Sequence, residues 1–137
     1  MKAVQILYSY IENLEKRKVK LLEELQTLQE DMEEVAKVNT ILYDYKLEPY
    51  IDIDGSKPCS ICWVAADGKD KFRFFLKDID LLFSINVNGK YIFYRRGSTY
   101  LAHPSIKDEV KYLSAFCEYF PKYRDAVFKH IESFQNE

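Results

Sequence analysis

Apolar residues in the first third of the chain recur in alternating steps of four and three. Leu7, Leu14, Leu21, Leu28, Val35 and Leu42 share one heptad position, and Val4, Ile11, Lys18, Leu25, Met32 and Asn39 share another. With the first series at d and the second at a, six heptads result, with Leu at d in five. No Gly or Pro interrupts the run from Ala3 to about Lys46. The spacing predicts one long helix over residues 1–48, and a sustained repeat of 3.5 predicts that it coils against a partner surface. About 44 helical residues reach roughly 65 Å. A globular remainder of about 90 residues has a radius of gyration near 12 Å, too small to cover such a stripe. The expected oligomer interface is therefore Leu7, Ile11, Leu14, Lys18, Leu21, Leu25, Leu28, Met32 and Val35.

Two polar residues sit in that seam. Lys18 and Asn39 at a lower stability but restrict register and strand number. A basic cluster, Lys16, Arg17, Lys18 and Lys20, precedes an acidic one, Glu30, Asp31, Glu33 and Glu34. A parallel homodimer sets the basic residues beside their own copies. An antiparallel pair centred near Leu25 lays each cluster against its opposite, which selects orientation more than it stabilises. The partners expected are a second copy, antiparallel, or a different coiled-coil protein.

The pattern changes at Glu48-Pro49, where Pro cannot continue a helical ladder. Short runs of β-branched and aromatic residues follow, predicting strands near Tyr50–Asp54, Cys59–Ala66, Lys71–Lys77, Leu82–Val87 and Tyr91–Arg95. Asp54-Gly55, Asp67-Gly68 and Asn88-Gly89 mark the turns, the last favouring a two-residue hairpin. Alternation gives the meander an apolar face with Phe72, Phe83 and Ile92. The opposite face collects Lys71, Arg73, Tyr91, Phe93 and Arg95, a candidate binding surface for another protein or for nucleic acid. Pro104-Ser105 opens a helix with Asp108 and Glu109 in its first turn, close to a capping box. Phe120-Pro121 divides that region, predicting two C-terminal helices that cover the apolar sheet face. The fold class expected is α+β: a coiled-coil helix over 1–48 and a small globular domain over 49–137, in which an antiparallel meander packs against the two helices.

Composition narrows the function more than it names it. With 47% hydrophobic and 31% charged residues the chain can form a core, and its net charge of −2 argues against a surface built wholly for nucleic acid. No run approaches the roughly 18 apolar residues of a membrane span. The first ten residues lack the order of a secretory signal, and three cysteines do not make a disulfide framework. An intracellular protein, cytoplasmic or nuclear, is expected, with no membrane partner. Cys59-Ser-Ile-Cys62 is the one chemically suggestive spacing. A zinc site there would need two more ligands, for which Cys117 with His103 or His130 are the Cys or His candidates. The pair reads instead as the start of a strand with its side chains on opposite faces, and no metal or cofactor is expected. No phosphate loop, nucleophile elbow or paired catalytic motif is present, so no enzyme is expected. The reading is a non-enzymatic scaffold or regulatory protein that associates through the coil and presents a binding domain. The alternatives are a nucleic-acid-associated regulator using the basic sheet face and a small zinc-stabilised module.

Overall fold

The computed structural model describes residues 2–47 and 104–137 in full, and residues 71–76, 81–86, 92–96 and 99–101 as backbone. Helix α1 spans Lys2–Thr27 and α2 spans Gln29–Asp44. Only Leu28 separates them. Its N–H is shared between the carbonyls of Glu24 at 3.2 Å and Leu25 at 3.1 Å, while its own carbonyl accepts from Met32 at 2.9 Å. The hydrogen-bond ladder therefore passes from α1 into α2 through one tightened turn.

The helix stops before Pro49 is reached. Lys46 adopts a positive φ of 56°, and Leu47 N–H reaches back to the Leu42 carbonyl at 2.8 Å while Lys46 N–H meets Tyr43 at 3.1 Å. These are the two bonds of a Schellman closure, which satisfies carbonyls that a helix end leaves open. Lys occupies the left-handed position that Gly fills at lowest cost.

Helix α3 spans Ile106–Ser133, and a short 3-10 turn, Phe134–Asn136, follows it. Ser105 caps α3 as its sequence suggests, its side chain accepting from Asp108 N–H at 3.1 Å. The expected division at Phe120-Pro121 is corrected: α3 runs through Pro121 as one helix. Proline lacks the N–H that would bond the Cys117 carbonyl, at a cost of about 3 kcal/mol in a helix interior. Phe116 and Phe120 before it and Tyr123 and Val127 after it are all buried on one side, and their rings and methyls hold the helix together across the gap.

Four strands, β1 (Lys71–Leu76), β2 (Leu81–Asn86), β3 (Ile92–Arg96) and β4 (Thr99–Leu101), pair antiparallel in chain order. Phe83 stands opposite Tyr94 and Ile85 opposite Ile92. The strands expected at Tyr50–Asp54 and Cys59–Ala66 lie outside the described residues.

The core is helix on helix. Leu25, Leu28, Met32, Val35, Ala36 and Leu42 pack with Tyr112, Phe116, Cys117, Phe120, Tyr123 and Val127. Residues 2–47 and 104–137 are 91% helical and contain no strand. This overturns the α+β expectation of a coiled-coil stalk bearing a meander packed on two C-terminal helices: the packed body is a helical one, in which α3 seals the seam of α1 and α2. Lys18 meets Glu109, Leu21 meets Cys117, Asp31 meets Arg124 and Leu47 meets His130. Numbers rise together on both sides, so α3 runs parallel to α1 and α2.

Candidate interaction surface

The seam expected to join chains divides in two. From Leu14 onward it is closed within the chain. Leu14, Leu25, Leu28, Met32 and Val35 are buried, and Leu21 is partly buried against the same core. Met32 and Val35 are 0% exposed, so α3 occupies the seam around Leu25 where antiparallel pairing was expected to centre. Leu7 and Ile11 are not covered. Every residue from Lys2 to Asn13 is exposed, because α3 begins level with the second and third heptads and leaves the first three turns of α1 projecting beyond it.

Both polar seam residues have their partners inside the chain. Lys18 Nζ lies 2.7 Å from a Glu109 carboxylate oxygen. Asn39, the one buried polar residue among those described, donates from Nδ2 to the Tyr123 hydroxyl at 2.9 Å. Arg124 adds a third link, with Nη1 2.7 Å from the Asp31 carboxylate. These three contacts, spread along α3, set its register against α1 and α2. Partly exposed ion pairs contribute little energy; their geometry discriminates against a slipped pairing.

The projecting turns carry a wide apolar arc. Val4, Ile6, Leu7, Tyr8, Tyr10 and Ile11 are 38 to 69% exposed. At 100° per residue they cover roughly 200° of the helix, well beyond the stripe an ordinary surface helix turns to its own core. Lys2, Gln5, Ser9 and Glu12 occupy the remainder. The heptad assignment picked out Leu7 and Ile11 but passed over Ile6, Tyr8 and Tyr10, which lie off the a and d positions. The signal for them was the breadth of the arc, not its period. Where the arc meets α3, a groove runs between the helices, with Tyr10, Ala115 and Tyr119 among its apolar lining and Arg17, Lys107, Asp108, Lys111 and Glu118 as its charged lining.

Cys117 is buried, and its thiol donates to the Leu21 carbonyl at 3.8 Å. Burial, reinforced by the nearby Glu24 charge, pushes the thiol from 9.0 up to about 12. It is held as the neutral thiol, the inverse of what a nucleophilic or metal-binding cysteine requires. Cys59, Cys62 and His103 lie outside the described residues, as do the side chains of Lys71, Arg73, Phe93 and Arg95 and the whole of Tyr91. Among the described residues no group of three His, Cys, Asp or Glu is placed to hold a metal, and no helix is long and apolar enough to cross a membrane. His130, the other histidine, ties the end of α3 to the α2 closure, with Nε2 2.9 Å from the Leu47 carbonyl oxygen. No protein-family model, no curated protein and no solved structure matches the chain.

Proposed function

We propose that this chain is a non-enzymatic interaction protein of the cell interior, acting as a scaffold or regulator, and that it docks through the first three turns of α1. The observation that carries this reading is the exposed apolar arc from Val4 to Ile11 on a helix whose later a and d positions are covered within the chain. Patches of this kind mark protein contacts more often than free solvent faces. Rigid support strengthens the reading: the arc continues a helix clamped by α3 from Leu14 onward, so presenting it costs little ordering entropy on binding.

The test is the size of the chain in its own cell. Tagged wild-type chain should run in gel filtration of a gentle extract well above 16.3 kDa. A Val4→Glu, Leu7→Glu variant should run at the monomer position. Both residues are exposed, so the α1–α3 core should survive the change. Equal elution of the two forms would overturn the reading.

A further inference from the structure

We infer that the occupant of the projecting turns is a second copy of this chain, laid antiparallel so that each α1 enters the groove between α1 and α3 of the other. This deepens the proposal above and rests on it.

Area comes first. For side chains of these sizes the six apolar residues expose on the order of 600 Å² together, so two copies would cover about 1,200 Å², the lower edge of stable specific interfaces. The groove adds to that. A two-fold arrangement lets one patch serve both sides of the contact.

Breadth and continuity give the direction. An arc of roughly 200° is too wide for one helix against one helix. A helix that lies along the projecting turns and then slides between α1 and α3 would contact two surfaces at once. The projecting segment, about 12 residues, is about 18 Å long. Antiparallel pairing centred on Ser9 keeps a against d, setting Leu7 level with Ile11 and Val4 level with Leu14. The groove opens beside Tyr10, with Lys111, Ala115 and Tyr119 of α3 on its other wall, while Leu14 and Val110 are already buried. In a parallel pair each segment runs beside its twin and neither reaches the groove.

Charge is compatible with pairing. Lys2 and Glu12 lie on the side away from the arc, so pairing buries neither.

The experiment uses the purified full-length chain. Light scattering across a dilution series should give twice 16.3 kDa, falling towards 16.3 kDa at the lowest concentrations. Leu7→Glu should hold the lower mass throughout with an unchanged circular dichroism spectrum. For direction, Leu7→Cys mixed with Ile11→Cys should form a mixed disulfide under mild oxidant, each alone giving no more than the wild-type background. Leu7→Cys linking to itself would overturn the antiparallel arrangement. A wild-type monomer at every concentration, or a dimer indifferent to Leu7→Glu, would overturn the second copy. So would a monomer that floats with anionic vesicles unless Leu7 is changed. A purified monomer beside a heavy, Leu7-dependent complex in cell extract would remove the second copy and leave the wider reading standing.

Discussion

The two stretches of α1 that flank Leu14 are written in the same repeat and meet different fates. Leu7 and Ile11 continue the a and d series without a break, yet they stand in solvent while Leu25, Leu28 and Met32 lie under α3. Period determines which face of a helix seeks cover. It carries no information on whether that cover comes from the same chain, because α3 offers the same kind of surface that a second helix would. What distinguishes the stretches is the reach of α3: its 28 residues extend about 42 Å against roughly 65 Å for α1 and α2 together.

The contrast can be broken most forcefully by truncation in each stretch. Phe120→Ala, at a fully buried site, should destabilise the folded chain by about 3–5 kcal/mol. Leu7→Ala should change the stability of the isolated chain by less than about 0.5 kcal/mol, as at a surface position. Urea denaturation at a concentration where the chain is monomeric reads both. A large loss at Leu7 there would mean that the projecting turns pack on their own body after all.

A second contrast concerns alkali. Well below pH 9 the Cys117 thiol is neutral whether the chain is folded or not, and it contributes no pH dependence. Between 9 and about 12 the unfolded chain releases this proton while the folded chain retains it. Stability should therefore fall with rising pH across that window. Cys117→Ala should flatten part of the slope, and the difference between the two denaturation series isolates the thiol from the tyrosines and lysines that titrate nearby. Equal slopes would mean that the thiol is open to water.

The smallest expected effect sharpens the far end of the covered stretch. Lys46→Gly removes the cost of a side chain at positive φ and should raise stability by about 0.5–1 kcal/mol, detectable as a higher melting temperature. A loss would show that the Lys46 side chain contributes more than its backbone strain costs.

Much of this helical body can be traced in the residues. The alternation of threes and fours identifies the buried face from Leu14 to Leu42, and Ser105 marks the start of α3 through its short side chain. Pro121 is the instructive misreading. A proline penalty of a few kcal/mol ends a helix where little else is at stake, but here Phe116, Phe120, Tyr123 and Val127 lose far more if the helix divides. Lys46 misleads in the opposite direction, since nothing about a lysine announces a left-handed turn, and the closure precedes the visible Glu48-Pro49 stop. Lys18 and Asn39 announce polar partners without saying where those partners are; Glu109 and Tyr123 lie far along the chain. The candidate surface was half legible, Leu7 and Ile11 through the repeat, while Tyr10 gains its place only when α3 forms the other wall of the groove.

The parallel course of α3 also has a temporal side. The links that close the seam join residues 84 and 96 positions apart, Asn39 to Tyr123 and Leu21 to Cys117. During synthesis the ribosome releases the apolar stripe of α1 and α2 long before the helix that covers it. Any nascent chain stopped short of Ile106 would carry the stripe from Leu14 to Leu42 uncovered, an adhesive surface open to chaperones and to neighbouring nascent chains.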